Sequence, residues 1–268
     1  MTSFFGDFRA QRVAIVLASV LTTPAGAQTI AQRIAAADRP VQVIYPSRPS
    51  ACGDGHSYIS RVLDDGYSFG TDDNVMYQRG DGWSRGPCVH GPARVVATVM
   101  GGDVTRLRVY VGPVPPSSAD VEALTVSAAD AATWLASLVT AENSRVAASA
   151  ILPLILADAP DPWPLLLRVA RDNGRSMNVR RDALMWLGTG AIAHLGIEQK
   201  RDDTPDDEMR SQAVFALSQR PKSESVPALM ELAKSAKYPA AKRSAIFWLG
   251  QTGDPRAADV FAELLGLR

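Results

Sequence analysis

The C-terminal half of the chain repeats one pattern of apolar and polar positions. In each copy a basic residue is followed by an Ala three residues later and by a Leu four residues after that Ala. Ala and Leu at this spacing share one face of an α-helix, and the small Ala lets a neighbouring helix approach closely. The pattern predicts four amphipathic helices, with Ala213 and Ala245 at interior positions. The four copies are RVAASAILP (145–153), RRDALMWLG (180–188), RSQAVFALS (210–218) and KRSAIFWLG (242–250).

Each repeated helix is followed by a break and a second segment with helical periodicity. A single helix–turn–helix unit of this kind cannot bury its apolar face alone, but stacked units cover one another. We therefore expect a mostly α protein in which residues 120–268 form an α-solenoid of about four helical hairpins, each unit covering the next. The second segments are PWPLLLRVARD after Asp161, AIAHLG after Gly190, VPALMELAK after Ser225 and RAADVFAELL after Asp254.

The N-terminal half follows a different pattern. Residues 28–111 contain short β-branched or alternating segments broken by Gly, Pro and Asp, which predicts a small β-rich unit. Its clearest element is a hairpin over 94–111, where Gly101-Gly102 supplies the tight turn. The Pro-rich stretch 112–119 cannot continue a sheet and is predicted to be a linker that limits coupling between the halves. Ser127 then provides a helix N-cap.

The first 27 residues have the features of a secretory signal peptide. Arg9 and Arg12 precede an apolar run from Val13 to Leu21, and small residues follow at 25–27. The run is too short to cross roughly 30 Å of hydrocarbon, so we expect cleavage rather than anchoring. The sequence therefore predicts an exported protein, periplasmic or secreted, with no membrane span after residues 1–27 are removed.

Export changes the interpretation of the two cysteines, Cys52 and Cys88. In an oxidising compartment an even pair predicts a structural disulfide, which would staple the β-rich unit. A catalytic thiol or a metal-binding pair is the alternative. The C-x-x-C spacing of redox motifs and a four-ligand cluster are both absent from the sequence.

The repeats resemble one family of helical hairpins. KRSAIFWLGQTGDPRAADVFAELL (242–265) is similar to the short bacterial HEAT repeat, which is also found in phycobilisome-linker lyases and in exported bacterial HEAT proteins. MRSQAVFALSQRPKSESVPALMELA (209–233) keeps both helices but lacks the Asp-Pro turn. The resemblance implies protein–protein binding across a stacked surface, and it supplies no catalytic residues.

Two groups of side chains are candidate sites. His56 and His90 flank the cysteines and, with Asp54, predict either a metal or acid–base cluster or merely polar loop residues beside a disulfide. The second group is a ladder of basic residues at the starts of the repeats. These side chains either hold the fold, by reaching carbonyls or Asp161 and Asp254 of neighbouring turns, or form a stripe for an acidic partner. The ladder comprises Arg145, Arg180, Arg181, Arg210, Lys242 and Arg243.

Composition narrows the function further. Hydrophobic residues make up 46% and charged residues 21%, as in globular proteins, and a net charge of zero argues against nucleic acid as a partner. No phosphate-loop, hydrolase or zinc-protease motif is present, so we predict no catalytic residue, cofactor or metal. The predicted function is a non-enzymatic scaffold that binds another envelope or secreted protein. The alternative is an enzyme or small-ligand sensor with its pocket in the β-rich unit and the HEAT stack as a docking arm.

Overall fold

The computed structural model describes residues 29–63, 67–70, 76–78, 88–115, 120–197 and 204–267. The predicted signal peptide and residues 116–119 of the predicted linker lie outside these ranges.

In its described residues, the N-terminal half contains one short helix and two four-stranded sheets. The first sheet has the strand order β7-β6-β1-β8 and the second the order β2-β3-β4-β5. β6 and β7 form the predicted hairpin, and both Gly101 and Gly102 have positive φ angles in its turn. The small β-rich unit is thus confirmed. Its elements are α1 (Ile30–Ala35), β1 (Val41–Tyr45), β2 (Cys52–Gly53), β3 (Tyr58–Arg61), β4 (Tyr67–Gly70), β5 (Met76–Gln78), β6 (Ala93–Met100), β7 (Asp103–Val111) and β8 (Glu122–Thr125).

The last strand corrects the predicted domain boundary. β8 follows the Pro-rich stretch and pairs in parallel with β1, with Val41 opposite Glu122 and Ile44 opposite Thr125. Residues 122–125 therefore belong to the N-terminal sheet and not to the helical half predicted to begin at 120. The strand is only four residues long and alternates between partly buried and exposed positions, so it gives a weak signal in the sequence.

Eight helices follow in the described residues. Ser127 caps the first by accepting a hydrogen bond from the Asp130 backbone N–H, as predicted, and Thr204 caps α6 in the same way through Asp207. The helices are α2 (Ala128–Val139), α3 (Ser144–Leu156), α4 (Trp163–Arg171), α5 (Met177–His194), α6 (Pro205–Ser218), α7 (Lys222–Ser235), α8 (Pro239–Gln251) and α9 (Ala257–Leu264).

The two halves share one hydrophobic core. Helix α3 packs against β6 and β7. The buried Tyr45 hydroxyl donates to the Pro153 carbonyl at 2.8 Å, and burial raises the pKa of this phenol. Arg48 donates to the carbonyls of Ile155 and Ala159 and forms an ion pair with Asp161 at 3.0 Å. These contacts tie the sheet to the C-terminal end of α3, so the halves are more closely coupled than the prolines predict.

The helices do not stack in the order of the chain. Helix α5 packs extensively against α8, and α8 also packs against α6 and α7. A methyl group at Gly188 would lie 3.3 Å from the Ile246 carbonyl oxygen, and one at Gly250 would lie 3.4 Å from the Leu184 carbonyl oxygen. Because residue numbers run in opposite directions across this contact, α5 and α8 are antiparallel. We call α3–α5 the first helical unit and α6–α8 the second.

The contact between the units has an internal two-fold character. Gly188 and Gly250 follow Trp-Leu in equivalent copies of the repeat, and Leu184 and Ile246 are equivalent as well. Gly188 therefore lies against Ile246, while its equivalent Gly250 lies against Leu184, the equivalent of Ile246. Reciprocal contacts of this kind are typical of an isologous interface. This packing replaces the expected arrangement in which each hairpin covers the next.

The antiparallel packing also decides the burial of the repeated Ala. Ala245 on α8 is fully buried, as predicted. Ala213 on α6 is exposed, so the prediction for this residue is wrong. Helix α6 lies at the outside of the bundle and buries only Val214, because α8 occupies the face of α5 that a sequential stack would give to α6.

Candidate functional site

The predicted disulfide is present. Cys52 and Cys88 are bonded, with their Cα atoms 4.9 Å apart. The backbone supports the link, because the N–H groups of Gly53 and Val89 each donate to the other residue's carbonyl at 3.1 Å. The bond therefore closes the second sheet onto the segment that leads into β6.

Asp54 is engaged by its own turn. Its carboxylate accepts hydrogen bonds from the backbone N–H groups of His56, Ser57 and Tyr58 at 2.8 to 2.9 Å, and from the Ser57 hydroxyl at 3.0 Å. Partial burial acts to raise the pKa of Asp54, but these hydrogen bonds outweigh it and hold the pKa below its usual value. The carboxylate stabilises the loop and is a poor general base.

His90 is placed beside a backbone carbonyl and a cleft. Its Nδ1 is 2.9 Å from the Ala51 carbonyl oxygen, and its ring lines a cleft of about 570 Å³ together with Tyr45 and Arg48. Asp54 and His56 do not line that cleft. The three side chains therefore do not converge, and within the described ranges no group of three or more His, Cys, Asp or Glu side chains is placed to hold a metal ion.

Two members of the basic ladder bind helix C-termini. Arg180 Nε donates to the Ala170 carbonyl in the last turn of α4, and Lys242 Nζ donates to the Lys234 carbonyl in the last turn of α7, both at 3.2 Å. A cation at this end of a helix satisfies free carbonyls and complements the helix dipole. Each residue thus joins the second and third helices of its own unit.

Arg210 pairs within its own helix. Its guanidinium contacts Asp207 at 2.9 Å and Asp206 at 3.5 Å and lies 4.0 Å from the centre of the Tyr238 ring. The other members differ in burial: Arg243 is buried, whereas Arg145 and Arg181 are exposed.

A single basic edge is not formed. The antiparallel α5–α8 contact puts Arg180 and Lys242 at opposite ends of the helix pair, so these two cannot belong to one stripe. The two carboxylates suggested as structural partners are also engaged elsewhere, because Asp161 pairs with Arg48 and Asp254 with Arg256. The geometry favours the structural interpretation of Arg180, Arg210 and Lys242.

A different site lies where the two units meet. The N-terminus of α5, the connection from α6 to α7 and the C-terminus of α8 enclose a cleft of about 470 Å³. We call it the Trp248 cleft. Its lining residues are Met177, Arg181, Ser218, Gln219, Lys222, Ser225, Trp248, Gln251, Thr252 and Gly253.

The Trp248 cleft combines an aromatic wall with a basic rim. The Trp248 ring lies 5.0 Å from the rings of both Phe215 and Phe247, and Phe215 remains 40% exposed. Lys222 Nζ donates to the Thr252 carbonyl at 2.6 Å, and Arg181 is exposed at the rim. Trp, Phe, Met and Arg are the residue types enriched at protein interfaces. From the sequence, Trp186 and Trp248 share one repeat position, which predicts packing between units, with a partner-facing aromatic pair as the alternative; the cleft itself was not identified.

The helical packing defines a domain of paired helices, and one known family matches part of it. Residues 196–267 match the family of HEAT repeats, a range that includes α6 to α9. This supports a HEAT-repeat domain in the C-terminal part of the chain, as the sequence resemblance implied. No curated protein and no solved structure matches the chain.

The sequence also predicts no membrane span after residues 1–27 are removed. Among the helices in the described parts of the chain, none is long and apolar enough to cross a membrane.

Proposed function

We propose that the protein is a non-enzymatic scaffold that binds another envelope or secreted protein through its HEAT-repeat surface. The observation that carries this proposal is the Trp248 cleft, an exposed aromatic and basic site built mostly from residues within the HEAT match. HEAT repeats generally mediate protein–protein interaction. In this proposal the helical half is a short HEAT-like domain of the phycobilisome-lyase type, in which the two units pair through α5 and α8 instead of extending as a solenoid.

Export is part of the same proposal. Residues 1–27 act as a cleaved signal peptide, and the mature protein is periplasmic or secreted. The disulfide supports this assignment, because stable disulfides of small units form in oxidising compartments.

A binding role is favoured over catalysis or ligand sensing in the β-rich unit. The alternative function requires Asp54 and a histidine to act together in one pocket. The Asp54 carboxylate instead accepts four hydrogen bonds from its own turn, and only His90 of the three residues lines the cleft beside the disulfide.

The proposal is tested by capture from an envelope extract of the source organism. Purified wild-type protein, the Trp248→Ala variant and the Tyr238→Ala control are immobilised, and bound proteins are identified by mass spectrometry. Tyr238 is a matched control because it is an exposed aromatic residue of the same domain outside the cleft. We expect one protein to be retained by wild type and by Tyr238→Ala and lost with Trp248→Ala.

Affinity for the purified partner should fall at least 10-fold in Trp248→Ala, the size of effect expected of an interface hot spot. Failure of the wild-type protein to retain any specific protein would contradict the proposed function.

A further inference from the structure

We infer that the Trp248 cleft receives an aromatic side chain from an acidic segment of the partner protein. This inference rests on the proposed function and names the chemistry of the partner. It comes from comparing the cleft with the equivalent position in the first helical unit, where the same space is filled from within the chain.

The second helices of the two units align without a gap. WPLLLRVAR (163–171) on α4 matches VPALMELAK (226–234) on α7, so that Pro164 is equivalent to Pro227 and Leu166 to Leu229. Both Leu side chains are fully buried, which confirms that the two helices present the same face to their units. Trp163 is therefore equivalent to Val226.

In the first unit the Trp163 indole fills the space beside α5. A methyl group at Gly190 would lie 2.8 Å from the indole ring carbons, so the ring rests directly on this glycine. Trp163 and Trp186 are both buried, at 8% and 3% exposed. An aromatic side chain from α4 thus closes this position completely.

In the second unit the counterparts of Gly190 and Trp186 are not covered in this way. Val226 replaces Trp163, is itself fully buried and does not line the cleft. Thr252, which replaces Gly190, and Trp248, which replaces Trp186, lie in the wall of the open cleft. Phe215, which replaces the buried Ala150, contacts one side of Trp248 and stays 40% exposed itself.

The charges around the cleft select an acidic segment. Arg181 and Lys222 line it, and neither forms a salt bridge among the described residues. Carboxylates in the neighbouring turns are already paired, Glu224 with Arg220 at 2.7 Å and Asp254 with Arg256 at 2.9 Å. Among the described residues that line the cleft there is no carboxylate, so the lining contributes two cations and no anion. The aromatic wall and the cationic rim together fit an aromatic side chain flanked by carboxylates.

The first experiment measures binding of three labelled hexapeptides to the full-length protein by fluorescence anisotropy. One peptide has a central Trp flanked by Asp and Glu, the second has Ala in place of Trp, and the third has Lys in place of the acidic residues. We expect the acidic Trp peptide to bind at least 10-fold more tightly than either of the others. Equal binding of the Trp and Ala peptides overturns the inference.

Charge variants and a filling variant show where on the protein the peptide binds. Arg181→Glu and Lys222→Glu should each weaken binding of the acidic Trp peptide at least 10-fold. Arg220→Glu is the matched control, because it reverses a charge on the same connection but Arg220 does not line the cleft, and it should bind as wild type does. Unchanged binding in both cleft variants, with circular dichroism showing a folded protein, overturns the inference.

A filling variant places an indole in the cleft from a residue that lines it. We expect Thr252→Trp to occupy the cleft and abolish peptide binding with helicity retained. A folded Thr252→Trp protein that binds the peptide like wild type overturns the inference.

Partner capture separates this inference from the proposed function. Retention of an envelope partner by wild type and equally by Arg181→Glu and Lys222→Glu overturns the cleft as the docking site, while the scaffold function stands. Loss of capture in both variants but not in Arg220→Glu supports both proposals.

Discussion

The two helical units carry the same repeat but differ in how much of it is covered. In the first unit, α3 buries residues 150–156 without a break, because it lies against α2, α5 and the strands β6 and β7. In the second unit, α6 packs mainly on α7 and α8, and within this described helix Val214 is the buried residue. The repeat pattern therefore fixes which residues are equivalent, whereas the surroundings decide whether an equivalent face becomes core or surface.

The strongest test of this difference compares the repeated Leu of the two first helices. Leu152 on α3 is buried and Leu217 on α6 is partly exposed. We expect Leu152→Ala to lower the free energy of unfolding by about 2–5 kcal/mol, as for other buried Leu, and Leu217→Ala to cost less than half as much. Urea denaturation of both variants measures the two changes. Equal losses would show that the units are equally covered.

Removal of the disulfide tests whether the first unit depends on the sheet. The bond links residues 36 positions apart, and we expect Cys52→Ser with Cys88→Ser to cost about 2–4 kcal/mol. Because Tyr45 and Arg48 join the sheet to α3, the sheet and the first unit should melt together at a lower temperature. Thermal unfolding followed by both near- and far-UV circular dichroism checks this. A sheet that melts alone, with all helices intact, would restore the independence predicted from the linker.

The glycines at the α5–α8 contact test the two-fold character of the packing. A methyl group at Gly188 or Gly250 would lie 3.3 or 3.4 Å from a backbone carbonyl oxygen of the opposite helix. We expect Gly188→Ala and Gly250→Ala each to destabilise the protein by about 1–3 kcal/mol, since the gain in helix propensity does not offset the overpacking. Ser218→Ala, at the equivalent position of α6, serves as the control and should be nearly neutral. Clearly unequal effects of the two glycine changes would argue against equivalence.

The smallest expected change in stability concerns Asp182, whose equivalent in α8 is Ser244. Burial raises the pKa of Asp182 to about 6, above its ordinary value, while the adjacent Arg181 opposes the shift. The folded state therefore binds the proton more tightly, and this stabilising contribution is full at about pH 4 and is lost as the pH rises to about 6.

Asp182→Ser should remove that dependence. Allowing for the partial exposure of the side chain, we expect a gain of about 1 kcal/mol at pH 7.5 and none at pH 4. Chemical denaturation at the two pH values measures it. A gain of the same size at pH 4 would mean that the charge of Asp182 is not responsible.

Local structure was largely predictable from the sequence, because it depends on residues close together in the chain. The caps at Ser127 and Thr204 and the turn at Gly101-Gly102 act over a few positions, and each is where its residue type indicates. Strand β8 was missed because its partner, β1, lies far away in the chain and supplies the ladder that makes four residues a strand.

The helix order and the Trp248 cleft were not predictable from the repeat. The repeat shows which helix faces are equivalent in sequence, but it does not show which faces pack against each other. The prediction of sequential stacking was therefore wrong for α5, which packs against α8. An alignment of the second helices alone would have revealed that Val226 stands in place of Trp163, although not that Trp248 lines an open cleft.

The pairing of α5 with α8 also sets an order of events while the chain is being made. In a linear stack each new hairpin covers the one synthesised just before it. Here the face of α5 around Gly188 remains exposed while α6 and α7 are synthesised. It is covered only after α8 has been synthesised. Contacts between such distant segments form late and slowly. Chains interrupted before residue 239 consequently expose an apolar helix face to one another, which makes ribosomal stalling or C-terminal truncation a direct route to aggregation.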